Sequence, residues 1–406
     1  MIRPRFLFFS TLIILLCGIK LIRLIPLPGI ELLWNFHILF FASFSLLIAT
    51  QFHKFFRNKI DKVIFVLILS LIITLLYVDP GYFIENYVIY IMPITSYYFF
   101  RNFDFSIFDV YRFFSILSVF LLVFFFIDFY SNNVFKLGIF DYSKFRSISS
   151  ELGRVVSQLE DAKNSIFFSE KILRVAGVSF NPQSSAVIYA AFSIYHFVLY
   201  RINRNKLNIV LFLVHLIAIL LFNSATSILV FLVLFVFQFR SYTLNGLILI
   251  LFPLILYYVL AFHYGNYSIA FETIIILYNG LITTYIEPLV SLNGFYYYSF
   301  FFGTGANNSE NLLSFNYEVD FLNIIFQLGI INVSILVYLI YEIKLLTKKL
   351  WHNNINVFPI YYIMLGVIFG SIHYQSIFKY PGSILLFGIM GMIVKQHMRL
   401  QKTTKK

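Results

Sequence analysis

Long apolar runs alternate with brief polar breaks along almost the whole chain. At about 20 residues for each helical crossing of a bilayer, the pattern predicts twelve spans. They fall near 6–26, 30–50, 63–78, 86–100, 113–130, 182–200, 207–222, 224–239, 244–263, 319–342, 356–373 and 381–394. Two intervals break the rhythm: 131–181, with 51 residues, and 264–318, with 55. Loops of that length inside a compact chain are usually functional or disordered. No internal repeat of the kind that marks secondary transporters is visible. The expected fold is an all-α polytopic membrane protein with two large outer loops. Its parts are a bundle of five spans (1–130), a first outer loop (131–181), four spans (182–263), a second outer loop (264–318), three spans (319–394) and a tail (395–406).

Composition agrees. Sixty per cent of the 406 residues are hydrophobic, 12% are charged and the mean hydropathy is +0.85. A soluble domain runs near 45–50% apolar and about 25% charged, so a soluble enzyme is excluded. With 52 Phe, 29 Tyr and the single Cys17, so are a disordered chain and a disulfide scaffold. The surplus of Phe, Tyr, Ile, Asn and Lys also fits an AT-rich gene, so aromatic richness by itself marks no binding site.

The net charge of +12 invites a nucleic-acid partner, but its distribution speaks for membrane orientation instead. Twenty of the thirty Lys and Arg lie in 1–5, 51–62, 101–112, 201–206, 240–243, 344–352 and 395–406, all on one side of the spans. The short loops opposite carry only Arg23 and Lys379. The positive-inside rule therefore predicts that both termini are cytoplasmic. The first segment lacks a small-residue cleavage site before Ile25-Pro26-Leu27-Pro28 and reads as a signal anchor. The first outer loop is basic, with Lys136, Lys144, Arg146, Arg154, Lys163, Lys171 and Arg174. The second has no Lys or Arg and holds Glu272, Glu287, Glu310 and Glu318, followed at once by Asp320.

Within the basic loop, 148–163 reads as a short amphipathic helix lying on the membrane surface, with Ile148, Leu152, Val155, Val156 and Leu159 on one face. Arg154 beside that face serves either as a ligand or as a snorkelling anchor. Further on, Pro182 suits the first turn of a span with Asn181 as its N-cap. Arg174 and Gly177 precede it, a place that could hold a phosphate or fix the loop against headgroups. Phe300-Phe301-Phe302-Gly303-Thr304-Gly305 is a glycine-rich turn without the strand that a nucleotide fingerprint needs. Asp320 opens a span, where it is either a functional carboxylate or a helix cap, and Gly329 permits close helix packing. In the last outer loop His373 is a candidate base and Lys379 a candidate phosphate ligand, or both belong to an interfacial belt. His196 and His215 read as helix-contact residues.

Several chemistries lack their motifs. There is no His-Glu-x-x-His, no paired Cys and no metal-spaced carboxylate set. Gly-x-Ser-x-Gly and Walker sequences are absent too. No metal and no cofactor is expected. The spans contain few ionisable residues (Lys20, Asp128 and several His among them), which counts against ion-coupled transport.

Arg174-x-x-Gly177-x-x-x-x-Pro182 resembles the outer-loop motif of bacterial O-antigen polymerases. Phe302-Gly303-Thr304-Gly305, with Asp320 and then Gly329 nine residues later, resembles that family's second signature, and the turn Asn223-Ser224-Ala225-Thr226-Ser227 fits as well. The resemblance covers about residues 170–375. It implies a metal-independent membrane glycosyltransferase of the all-helical GT-C type in the bacterial inner membrane, serving O-antigen, lipopolysaccharide or capsule synthesis. Its substrates would be undecaprenyl-diphosphate-linked oligosaccharides, and its partners membrane lipids, a chain-length regulator and a flippase, with no nucleic acid. Arg174 matches the family's diphosphate-contacting arginine and Asp320 its acidic residue. The second loop lacks the family's second arginine, a charge that Arg146, Arg154 or Lys379 could supply. With His373 as base, the expected site comprises Arg174, Asp320 and His373, with Arg146, Arg154, Gly177, Gly303, Gly305, Glu318 and Lys379 around the diphosphate or sugar. An O-antigen ligase and a lipid-linked oligosaccharide flippase are the competing expectations.

Overall fold

A computed structural model describes residues 56, 58–78, 90–102, 105–133, 163–164, 171–172, 182–222, 224–238, 301–303, 320–371 and 382–403. Among them are nine helices: α1 (Lys59–Val78), α2 (Met92–Asn102), α3 (Ile107–Asn133), α4 (Pro182–Asn203), α5 (Lys206–Phe222), α6 (Ala225–Val236), α7 (Asp320–His352), α8 (Phe358–Gly370) and α9 (Gly382–Thr403). Each overlaps one of the spans expected from the apolar runs. The spans expected at 6–26, 30–50 and 244–263 lie outside the described residues. Among the described residues three segments, Ile107–Tyr130, Ser185–Asn203 and Gln327–His352, are long and apolar enough to cross a membrane.

The helices are apolar on the outside as well as the inside, as in a helical membrane protein. On α3, Phe114, Leu117, Leu121 and Phe125 are buried, while Ile116, Val119, Val123, Ile127 and Tyr130 form an exposed stripe. The same holds on α1, where Ile60, Ile64, Leu67 and Leu71 face inward and Val66, Leu69, Ile73 and Leu76 outward. A water-soluble helix would carry polar residues on the second face.

At the centre stands α4, buried without interruption from Ser185 to His196. It packs against α5, α6 and α8, while α2 packs against α9 and α1 against α7. Small residues set the closest approaches. Gly366 of α8 lies directly on Ala191 of α4, and Gly391 of α9 lies on the Tyr97 carbonyl of α2. Larger gaps are filled by rings, such as Phe125 of α3 on Phe222 of α5, 4.7 Å between centroids.

Segments assigned to one side by charge also gather at one end of the bundle. Asn58 and Asp61 cap α1 reciprocally, Asp61 N–H donating to Asn58 Oδ1 (2.8 Å) and Asn58 N–H to Asp61 Oδ2 (3.2 Å). The Asp61 carboxylate also pairs with Arg101 of α2 and accepts from the Tyr97 hydroxyl at 2.7 Å. The Arg101 and Asp61 side chains are only 1% and 0% exposed. Lys59 bridges to Glu342 of α7 at 2.8 Å. Gln396 and Arg399 of α9 donate to the Phe105 carbonyl, and Arg201 to that of Gln238.

Two details differ from the expectation. Helices α7 and α9 run on past residues 342 and 394, because their polar ends are amphipathic. On α7, Ile343, Thr347 and Leu350 stay buried while Lys344, Lys348 and Lys349 point outward. In the interval 131–181, expected as the first outer loop, Lys163 and Asn164 (β1) pair antiparallel with Lys171 and Ile172 (β2). The expected surface helix therefore ends before Lys163, and its 148–162 stretch lies outside the described residues.

Removing one partner of a buried ion pair leaves an uncompensated charge, which costs about 3–5 kcal/mol. Arg101→Leu is expected to lower the thermal midpoint of the purified protein sharply. The double variant Asp61→Asn with Arg101→Leu, which leaves no lone charge, should recover most of that loss in the same melt.

Candidate functional site

Gly303 and the helix headed by Asp320 are the predicted site features that the described residues bring together. Helix α7 is continuous in sequence but broken in conformation. Gly329 adopts φ 78° and ψ 155°, which divides the helix into an outer half (320–328) and a long inner half (330–352). Gly303 also has a positive φ, 86°, a region that costs an L side chain about 1–2 kcal/mol. The two glycines face each other. A Cβ on Gly303 would lie 2.5 Å from the Gln327 carbonyl oxygen, and one on Gly329 would strike the Phe301 carbonyl. Backbone 301–303 and backbone 327–329 thus touch with no side chain between them.

Polar groups from two more helices converge on this crossing. The Tyr90 hydroxyl, immediately before α2, donates to Gln327 Oε1 at 2.8 Å in a buried bond. Asn332, one turn past the break, donates from Nδ2 to the Leu328 carbonyl beside it at 2.7 Å. The same nitrogen lies 3.4 Å from Thr74 Oγ1 on α1. Asn332 is 1% exposed and its Oδ1 accepts no bond, so the break holds one open, enclosed acceptor.

The crossing joins residues 301–303, within the acidic interval 264–318, to the half-helix that Asp320 opens. From Asp320 to Gly329 is nine residues, about 13 Å of helix. The described residues give Asp320 its place as the first residue of α7 and no more; its side chain lies outside them. Arg146, Arg154, Arg174, Gly177, Gly305, Glu318, His373 and Lys379 also lie outside them. Pro182 opens α4 as its first residue, in the place expected of it. Tyr90, Thr74, Gln327 and Asn332 were not singled out from the sequence. Their only signal there is polarity inside apolar runs.

The two buried histidines belong to a separate cluster. His196 on α4 sits between Ser118 Oγ (2.6 Å) and Asn208 Oδ1 (3.1 Å). His215 on α5 donates from Nδ1 to the Leu211 carbonyl at 2.8 Å, and the two rings lie 5.4 Å apart. Both make helix contacts, as their positions suggested. Among the described residues no group of three His, Cys, Asp or Glu is placed to hold a metal ion.

Compared with protein-family models, curated proteins and solved structures, the chain matches none. The resemblance to O-antigen polymerases therefore rests on motif order and helical plan.

A methyl group at either glycine meets backbone that cannot swing aside. Gly303→Ala and Gly329→Ala are each expected to cost about 2 kcal/mol or more, read as a lower thermal midpoint. Gly388→Ala, which meets the Phe100 ring at 2.9 Å, tests overpacking without backbone strain and should cost less than either.

Proposed function

We propose that the chain is a membrane polymerase. It transfers a growing polysaccharide from undecaprenyl diphosphate onto the next lipid-linked repeat unit at the outer face of the bacterial cytoplasmic membrane. The supporting observation is the Gly303–Gly329 crossing, because it joins the two halves of the second signature, Phe302-Gly303-Thr304-Gly305 and the helix from Asp320. In this reading twelve spans of GT-C type present both outer loops to the same face, and both termini are cytoplasmic.

The chemistry follows from the substrate. A hydroxyl of the acceptor sugar attacks the anomeric carbon of the donor. The bond from that carbon to the diphosphate oxygen breaks, and undecaprenyl diphosphate leaves with the electron pair. Negative charge grows on the leaving oxygen, where fixed cations are most effective. Arg174 is assigned to that oxygen, with Arg146, Arg154 or Lys379 as the second cation. The hydroxyl proton goes to a base, His373 or Asp320. Gly177, Gly305 and Glu318 lie where the loops would close around diphosphate and sugar. A chain-length regulator and a flippase are the protein partners implied.

Replacing wild type by Arg174→Ala at equal expression should abolish long polysaccharide and leave single repeats on the lipid carrier at the outer face, seen on glycan gels and by mass spectrometry of the lipid fraction. Normal long chains would sink the assignment. In a deletion strain, unattached long chains would point to a ligase, and lipid-linked repeats held on the cytoplasmic face to a flippase.

A further inference from the structure

Where α3, α4 and α5 meet, His196 stands in a line of hydrogen bonds whose directions are fixed from one end. Asn203 Oδ1 accepts from the Asn205 backbone N–H at 3.1 Å, so a group that only donates identifies the oxygen of that amide. The Asn208 side chain meets this oxygen at 3.2 Å and therefore turns its Nδ2 to it. Its Oδ1 then faces His196 Nδ1 at 3.1 Å, which makes Nδ1 a donor. His215 is fixed in the same way, its Nδ1 lying 2.8 Å from the Leu211 carbonyl and carrying the proton. When neutral, both rings are Nδ1–H tautomers with a bare Nε2.

The two bare nitrogens differ. His215 Nε2 is buried with no partner. His196 Nε2 lies 2.6 Å from Ser118 Oγ, which itself lies 2.8 Å from the Ser115 carbonyl oxygen. Ser118 has one proton, and beside a neutral ring two acceptors claim it. Beside a doubly protonated ring every atom has its partner: Nε2–H donates to Ser118, Ser118 donates to Ser115, and Nδ1–H still donates to Asn208. A second proton on His215 would create an N–H without an acceptor. With the ring centroids 5.4 Å apart, charge on one ring disfavours charge on the other. Burial opposes a charge on either, and only His196 has hydrogen bonds at both nitrogens to offset it.

The described helices packed on α4 bring no other charge close to this ring. Helix α6 has no titratable residue, and on α5 Lys206 is exposed. On α3, Asp109 and Asp128 stand nine and ten residues from Ser118, about 14 Å along the helix, while Arg112 is exposed. Arg201, further along α4, is exposed too. The remaining titratable groups are tyrosines: 111 and 130 on α3, 189, 195 and 200 on α4, and 361 and 362 on α8.

We propose that His196 is a proton-binding site joining α3, α4 and α5. Its Nε2 lone pair takes a proton from water, and Ser118 turns its own proton from the ring to the Ser115 carbonyl. Charge-assisted hydrogen bonds then join the three helices where neutral ones did before. A proton needs no cavity, so enclosure does not bar it. Asn203 and Asn205, at the foot of the line, are exposed, so the site opens toward the end of the bundle where the basic segments gather. It is independent of the polymerase reading.

The test uses the full chain in detergent with isotope-labelled histidine, followed by nitrogen NMR, which shows for each ring nitrogen whether it is protonated. Signals are assigned by their loss in His196→Gln and His215→Phe. In alkali both rings should carry their proton on Nδ1. Acidification to about pH 4 should protonate His196 on both nitrogens while His215 keeps a bare Nε2. Ser118→Ala removes the acceptor of the charged form and should weaken proton binding by His196 about tenfold, or about one pH unit. Ser227→Ala, a serine bonded within α6, should leave it unchanged. A His196 proton on Nε2 in alkali, a ring still neutral near pH 4, His215 charging first, or an unshifted titration in Ser118→Ala would each overturn the site. The tautomer and the titration are read on wild type, so they decide even if Ser118→Ala fails to fold.

Discussion

Hydrocarbon offers no hydrogen bond to a peptide group, and an unpaired amide or carbonyl there costs several kcal/mol, so each irregularity in a spanning helix has to find its partner inside the bundle. In this chain the partners can be named. The carbonyl of Leu328, next to the break at Gly329, accepts from the Asn332 side chain. Serines turn their hydroxyls back onto carbonyls of their own helices, as at Ser118 on Ser115, Ser227 on Ser224 and Ser371 on Val367. Tyrosines reach farther, Tyr189 to Leu121, Tyr195 to Tyr111 and Tyr98 to Asp61. The last three bonds each join two helices, so satisfying a polar group also fixes a helix contact.

Charge obeys the same constraint more strictly. The one fully buried ion pair among the described residues, Arg101 with Asp61, is also the most supported. Asp61 receives Tyr97 and the Asn58 amide besides the guanidinium. A buried pair gains little over an apolar replacement, since desolvation offsets most of its Coulomb attraction, but it is costly to break. Its effect here is registry: α1 and α2 can slide only by separating the two charges. Lys59 and Glu342 join α1 to α7 at the same level in a far more exposed setting, where such a pair is worth about 0–1 kcal/mol.

The positions of helices were legible because a bilayer crossing needs a long apolar run, and nothing else in the sequence competes with that signal. Their ends were less so. Lys344 to His352 look like a cytoplasmic loop when only polarity is read, yet Ile343, Thr347 and Leu350 keep a buried face through them. That face has meaning only once α9 lies against it. Gly329 reads as a packing residue, and it is one, but what it packs against is backbone 26 residues earlier at Gly303. No periodicity within α7 announces the break. Gly303 and Asp320 stood out in the sequence as a glycine turn and a helix start; the polar residues that hold the joint, Tyr90, Gln327, Thr74 and Asn332, were hidden as single polar positions in apolar surroundings. Asn58 and Asp61 were missed for a related reason, because a cap lies in what the charge count treats only as a basic segment.

The crossing and the ion pair act on the same two helices from opposite ends. Helix α1 meets the inner half of α7 through Thr74 and Asn332 and is tied to α2 through Asp61 and Arg101. The segment opening α2 meets the outer half of α7 through Tyr90 and Gln327. The broken helix is thereby gripped on both sides of Gly329 by elements that are themselves pinned to each other. A hinge is the usual reading of a glycine break in a helix. Here the reciprocal contact of Gly303 with Gly329 fills the space through which the halves would swing. The break therefore functions as a fixed joint, and residues 301–303 are seated on it. In the proposed transfer between two lipid-bound sugars, much of the barrier would lie in holding both reactants at attack distance. Backbone set directly against backbone at Gly303 and Gly329, with no side chain between them, is a stiff mounting for the proposed task.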